Sequence, residues 1–351
     1  MKYLNSTLVA VLLVVFGALA ACDGTPNTAP DAPALSTHDA APMAALATDL
    51  DAGIVRIGAH AGHPEGGPGW KFQLPDEVTA QDRQIPSGWT TFILDNKSGA
   101  EHFILLLRVP DELSRITMEE WRDQVTVPFQ EIMDFIIDPS KVPDSELAEW
   151  YGQVESSGGP GFTGAWTSSE ATVHLEPGTY FLDCYVKDED GQFHSYLGML
   201  ERIEVTEEAN DASQPEPTMR VSVSSTDGIQ FDRPVTAGQH MVEVVFEDQA
   251  FYDHLLGHDL HLVRMGPEDN VAELGGWMNW MAPDGLVAPA PASFIGGVQT
   301  ILTPEGLAGS APAIGYLSAH LEPGRYAWVS EVPDPHTQNM LKVFNVPRGG
   351  R

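Results

Sequence analysis

The stretch that decides how this chain reads is Tyr180-Phe181-Leu182-Asp183-Cys184-Tyr185-Val186-Lys187-Asp188-Glu189-Asp190-Gly191-Gln192-Phe193-His194-Ser195-Tyr196-Leu197-Gly198-Met199. It begins as a β-strand and then sets out a thiolate, an imidazole and a thioether in order: Cys184, His194 and Met199. Those are three of the four donors of a His2Cys site with a weak axial Met. In such a set soft sulfur and borderline nitrogen suit Cu(I) and Cu(II) alike. A partial copy lies near the C-terminus, from Tyr326 to Met340, with Ser330 at the cysteine position.

The copying extends upstream. His174-Leu175-Glu176-Pro177-Gly178-Thr179-Tyr180 recurs as His320-Leu321-Glu322-Pro323-Gly324-Arg325-Tyr326, and His102–Arg108 aligns with His258–Arg264. Two related domains are the economical explanation. Short β-branched or aromatic runs separated by turn residues fill both halves. The first series is Thr90–Leu94, His102–Val109, Thr172–Leu175, Thr179–Val186 and Leu200–Val205. The second is Met219–Val223, Met241–Phe246, Leu260–Met265, Tyr326–Val332 and Leu341–Val346. Strands at this density predict an all-β chain of antiparallel sandwiches. A polar piece at 207–218 divides it into domains at 51–206 and 219–346.

The first domain carries a helical insertion near 117–152. Thr117 and Glu120 form a capping box ahead of Trp121, Val125, Phe129, Ile132, Met133 and Ile136, which share one helical face. Pro128 is expected to kink or split this helix, and a shorter helix is expected from Ser145 to Tyr151, stopping at Gly152. The apolar stripe is expected to pack on the sandwich.

The N-terminus reads as a targeting segment. Lys2, the apolar run Leu8–Ala20 and the small residues after it make residues 1–21 a signal peptide. Leu19-Ala20-Ala21-Cys22 resembles the bacterial lipobox, which implies lipidation of Cys22. Residues 22–50, rich in Ala, Pro, Thr and Asp, cannot bury enough surface to order themselves and read as a tether. The expected location is the cell envelope, lipid-anchored to a membrane on its periplasmic or extracellular face. With 50 acidic against 18 basic residues, the chain cannot neutralise a phosphate backbone, so nucleic acid is not an expected partner. The cysteine count is informative as well. If Cys22 is acylated, Cys184 is the sole remaining thiol and no intramolecular disulfide exists. A lone cysteine in an oxidising compartment is then buried, paired between chains or bound to a metal.

Gly-x-Tyr, a strand ending in cysteine, His-x-x-x-Gly-Met and a closing strand together resemble the cupredoxin family, of plastocyanin type. The resemblance covers most of residues 51–206 and, more loosely, 219–346. It implies two tandem Greek-key β-sandwich domains and one type 1 copper in the first. The loop Asp95–His102 fits the place of the family's first ligand. Carried over residue by residue, the resemblance implies His102 and His194 as nitrogen ligands, Cys184 as thiolate and Met199 as axial ligand. The spacing departs from the family pattern, because nine residues separate Cys184 from His194 where plastocyanin-like sites have a few. In the second half His258, His336 and Met340 keep matching positions, as a structural relic or a weak second metal site. His254 and His261 are alternative ligands there. His60 and His63 also stand at metal-like spacing, in a Gly-rich stretch where solvation is the expected state.

Paired His-x-His motifs of multicopper oxidases, the His-Cys-His strand end of a nitrite reductase, haem attachment, nucleophile-elbow and P-loop motifs are all missing from the sequence, so an enzyme is not expected. The function expected is a copper-binding one-electron carrier that serves a redox partner protein. A metal-free cupredoxin-like interaction module at the cell surface is the alternative.

Overall fold

Strand Ser168–Leu175 shows how the pattern sets the sheet. Ser169, Ala171, Val173 and Leu175 are buried while Ser168 and His174 face solvent, the period-two alternation of a half-buried strand. A computed structural model describes residues 47–250, 252, 257–302 and 312–348. Cys22, the signal segment, most of the tether and His254 lie outside the described residues.

The first half contains β1 (Ile54–Ala61), β2 (Trp70–Gln73), β3 (Gln84–Asn96), β4 (Leu105–Arg108), β5 (Glu155–Ser157), β6 (Ser168–Leu175), β7 (Gly178–Asp183) and β8 (Leu200–Ala209). The second half contains β9 (Met219–Ser224), β10 (Gly228–Phe231), β11 (Gly238–Phe246), β12 (Leu260–Met265), β13 (Ser293–Val298), β14 (Ile301–Leu302), β15 (Ala313–Leu321), β16 (Gly324–Val329) and β17 (Leu341–Val346). The fold is all-β, with helices confined to short segments.

Both halves use one plan. In the first, β1 runs parallel to β3 and β3 antiparallel to β6, while β4, β7 and β8 pair antiparallel in sequence. In the second, β9 runs parallel to β11 and β11 antiparallel to β15, while β12, β16 and β17 pair antiparallel. The sequence repeat is therefore a repeat of strand pairings. Strand β3 serves both layers of its half: Gln84–Pro86 pair with β8 and Gly88–Asp95 with β6. Gly88 stands where the strand changes partner, at a φ of +108° that favours glycine.

The repeated Glu-Pro-Gly-x-Tyr motif has a physical use. Tyr180 donates its hydroxyl to the Glu176 carbonyl at 2.8 Å, and Tyr326 donates to that of Glu322 at 2.9 Å. Each tyrosine thus ties the start of its strand back to the turn before it, as tyrosine corners do in other sandwiches.

The two halves join edge to edge. Tyr316–Ser318 of β15 pair with Glu170–Thr172 of β6, and β14 pairs with β5, within one compact unit, Thr48–Arg351.

The helical insertion departs from its expected shape. The capping box is made, with Thr117 Oγ1 accepting from the Glu120 N–H at 3.1 Å and Glu120 accepting from the Thr117 N–H at 2.9 Å. Helix Met118–Trp121 runs through a π-helical stretch, Arg122–Thr126, into helix Val127–Ile137. Pro128 lies within this continuous helical run: the Gln124 carbonyl that its missing N–H would have met accepts from the Ala148 N–H at 3.1 Å instead, and the π-helical stretch just before it takes up the irregularity. The shorter helix is a 3-10 segment, Glu149–Gln153, and does not begin at Ser145. Glu131 instead draws the backbone and hydroxyl of Ser145 to itself, which keeps that end extended. Trp121 stacks on Phe181 of β7 with ring centroids 4.1 Å apart and is fully buried, so the insertion covers the outer face of that sheet.

Tyr180→Phe and Tyr326→Phe each remove one buried hydroxyl and strand its carbonyl acceptor. Each is expected to lower the stability of the chain by about 1–2 kcal/mol in urea unfolding, with the strand content unchanged by circular dichroism.

Candidate metal centre

The site is built from the loop after β3 and the hairpin after β7. Asn96, the last residue of β3, is buried and organises the first of these. Its amide donates to the carbonyls of Ala100 at 2.7 Å and of Thr163 and Gly164 at 3.0 Å. Its Oδ1 accepts from the N–H of Ser98 at 3.0 Å and from the Ser98 hydroxyl at 2.9 Å. With its one proton given to Asn96, Ser98 Oγ accepts from His102 Nε2–H at 2.7 Å. That chain of donors leaves His102 Nδ1 bare, the form a metal ligand needs. Backbone bonds to Thr163 on both sides hold the residue itself in place.

The nine residues between Cys184 and His194 fold as a hairpin, and this resolves the long spacing. Lys187 bridges to Phe193, the His194 N–H donates to the Val186 carbonyl at 2.8 Å, and the Ser195 N–H donates to the Cys184 carbonyl at 2.9 Å. His194 is thereby returned to the level of Cys184. The acidic tip, Asp188–Gly191, projects away from the ligands and is closed by Asp188 and Gln192 backbone bonds.

Two other parts of the chain grip this hairpin. From the helical insertion, Gln130 accepts from the Phe193 N–H at 2.8 Å and donates to the Gly191 carbonyl at 3.3 Å. From the second half, the carbonyls of Trp280 and Ala282 accept from the Lys187 ammonium at 2.9 and 2.6 Å, and that of Pro283 at 3.4 Å. Lys187 is fully buried, and burial lowers its pKa to about 7, opposed by the nearby charges of Asp284 and Glu331. After His194, the Met199 N–H donates to the His194 carbonyl at 2.8 Å. Gly198, at φ +105°, makes this turn and lets His63 and Pro64 pack where a Cβ would stand.

His102 Nδ1 and His194 Nδ1 lie 3.0 Å apart, and Cys184 Sγ lies 3.8 and 3.9 Å from them. The centre of that triangle lies about 2.1 Å from each atom, matching metal–imidazole bonds of ~2.0–2.1 Å and approaching a metal–thiolate bond of ~2.3 Å. All three side chains are fully buried, as is Met199. Among the described residues this is the single group of three or more His, Cys, Asp or Glu whose ligand atoms gather closely enough to hold an ion. Burial pushes the His102 pKa down to about 3 and that of His194 well below the usual imidazole range; each is lowered further by a neighbouring histidine. Burial also raises the Cys184 thiol to about 12, against the pull of the Phe103 and Val186 N–H groups. Two neutral imidazoles and a thiol facing one point are donors poised for a cation, which would displace the thiol proton.

Two contributors carry no motif in the sequence. Ser98 is one. Trp70, which opens β2, is the other: its ring centroid lies 4.5 Å from that of His194, tilted by 34°, and 5.0 Å from that of His102, which it meets edge-on. Its N–H donates to the Leu197 carbonyl of the ligand loop at 3.1 Å. His60 and His63 flank the site from the β1–β2 hairpin, His60 half-buried.

The second half puts other chemistry at the equivalent place. His258 is buried with both ring nitrogens occupied, Nε2 by the Tyr252 hydroxyl at 2.9 Å and Nδ1 by the Asp248 carbonyl at 3.1 Å. His336 is exposed on the surface while Met340 is buried, so the structure does not gather His258, His336 and Met340 as it gathers the first set. At the thiolate position Ser330 donates to Asp259 Oδ1 at 2.9 Å. His261 donates to Asp259 Oδ2 at 2.7 Å, its Nδ1 accepting from the Phe162 N–H at 3.2 Å. A hydrogen-bonded carboxylate, Asp259, occupies this place.

No known family profile and no curated protein matches the sequence. Among solved structures, the chain is similar to auracyanin B at 17% identity, covering 39% of this chain and 94% of that one, with a TM-score of 0.26. It is also similar to auracyanin from Roseiflexus castenholzii (16% identity, 37% and 95% covered, TM-score 0.25). A copper-containing nitrite reductase from Thermus scotoductus matches at 12% identity, covering 84% of this chain and 61% of that one, with a TM-score of 0.22. At these identities and TM-scores the likeness assigns neither family nor activity.

Ser98→Ala removes the group that fixes the His102 tautomer. It is expected to weaken metal binding about tenfold in a competition titration while leaving the fold intact.

Proposed function

We propose that this protein is a one-electron carrier that holds a type 1 copper ion between His102, Cys184 and His194, with Met199 as axial ligand. The observation that carries the proposal is the triangle of Cys184 Sγ and the two Nδ1 atoms around one point at metal-bond distance. Bound there, copper supplies a one-electron couple, and a trigonal His2Cys set with a weak axial sulfur serves both oxidation states. The residues do the rest. The Ser98–His102 and backbone–Cys184 hydrogen bonds hold the donors, and the buried hairpin keeps water away. A site whose imidazoles are covered by an aromatic ring is suited to passing electrons rather than admitting a substrate. On this reading the second half is a metal-free brace for the ligand hairpin. The chain acts in the cell envelope, tethered to a membrane through a lipid on Cys22, and exchanges electrons with a redox partner protein.

Copper(II) added to the purified chain is expected to give an intense thiolate-to-copper absorption at one equivalent, and Cys184→Ser to abolish it. Wild type and variant that stay equally colourless and copper-free would refute the carrier reading and favour a metal-free interaction module.

The pKa directions make a second prediction. Both imidazoles are neutral at neutral pH and the thiol is protonated, so one proton leaves, from Cys184, for each ion bound. Apparent affinity should therefore rise about tenfold per pH unit near neutrality. Calorimetry in buffers of different ionisation enthalpy reads that proton directly.

A further inference from the structure

Trp70 stands between the metal centre and solvent. His194 is fully buried, and its Nε2 has no hydrogen-bond partner. The half-buried Trp70 ring covers both imidazoles, closest to His194, while its backbone is tied to the ligand loop at Leu197. The β1–β2 hairpin that carries Trp70 also packs against Gly198 through His63 and Pro64.

Cationic side chains stand near this ring. Only six lysines occur against 50 acidic residues, yet two of the six border this pole. Lys71 follows Trp70 directly and pairs with His60 across the hairpin; Lys97 donates its N–H to the Ala59 carbonyl beside it. The ammonium groups of both act on His60. Arg122 lies over the Tyr196 ring of the ligand loop, 5.7 Å from its centroid. The neighbouring carboxylate Asp95 is occupied by Arg56, Glu65 is the exposed acid on the hairpin, and Glu119, Glu120 and Asp123 are exposed beside Arg122, so Lys71 and Lys97 are the less opposed cations.

We propose that Trp70 is the electron port of the centre, and that the face around it docks a redox partner presenting an acidic rim. This inference rests on the copper reading. Electron tunnelling falls off steeply with distance, and the half-buried indole, its centroid 4.5 Å from that of the His194 ring, offers a short path from that ring to the surface. Lys71, Lys97 and Arg122 supply the attraction that a strongly acidic chain otherwise withholds from an acidic partner.

Two measurements test it. In the metal-free chain, the redox-inert trianion hexacyanochromate(III) should broaden the amide resonances of Trp70, Lys71 and Lys97 before others. The Lys71→Glu, Lys97→Glu double variant should abolish this. Broadening centred elsewhere overturns the docking face. In the copper-loaded chain, hexacyanoferrate(III) takes one electron from Cu(I), giving Cu(II) and hexacyanoferrate(II). Stopped-flow rates should fall at least tenfold in Trp70→Leu and less in Trp70→Phe, each variant first shown by its absorption band to be loaded. A Trp70→Leu chain that reacts as fast as wild type, or faster, makes Trp70 a shield and overturns the port. A wild-type chain without the band refutes the copper reading and the port with it, a result distinct from either of these.

Discussion

The site depends on burying one ammonium group. Lys187 lies in the hairpin between Cys184 and His194 and is fully buried, a state that costs several kcal/mol unless the charge finds partners. The carbonyls of Trp280, Ala282 and Pro283 supply them, all from the second half of the chain. Met133 of the helical insertion adds its sulfur at 3.7 Å. One side chain thus fastens the ligand hairpin to both of the elements that surround it. The long excursion between Cys184 and His194 is the means by which His194 is held.

This gives the second half a physical role that its own residues do not advertise. It repeats the strand pairings of the first, down to the tyrosine that ties each Pro-Gly turn to its strand. Where the first half converges a thiol and two imidazoles, the second closes a network of Asp259, His261 and Ser330 in which each polar atom has a partner. A buried network satisfied in this way is rigid. It also reaches the first site, since Tyr185, the residue after Cys184, donates to Glu331 at 3.1 Å. The two halves share a scaffold, and the second has a closed hydrogen-bond network where the first gathers Cys184, His102 and His194.

Much of this was legible from residues alone because it is local. β12 and β17 fall where alternation and turn residues put them, and the capping box is two side chains three residues apart. Cys184, His194 and Met199 could be read as candidate donors because they lie within one short stretch, and His102 entered through a resemblance; the structure gathers His102, Cys184 and His194 and buries Met199. Strands β1, β2, β5, β10, β13, β14 and β15 were not legible. The 3-10 segment at Glu149–Gln153 was misplaced because Glu131, far along the chain, captures Ser145.

The sequence by itself determined the all-β class and the internal repeat and set out candidate sulfur and nitrogen donors, since period-two alternation, turn chemistry and donor type are properties of a residue and its near neighbours. Tertiary structure alone decided that the donors meet. The separations that matter run between residues 82 and 92 positions apart for His102, and across a hairpin that Gln130 and Lys187 hold from outside. It also decided that Trp70 covers the imidazoles and that His258 keeps both nitrogens occupied. Contacts of that kind depend on which surfaces the fold presses together, and no spacing along the chain records them.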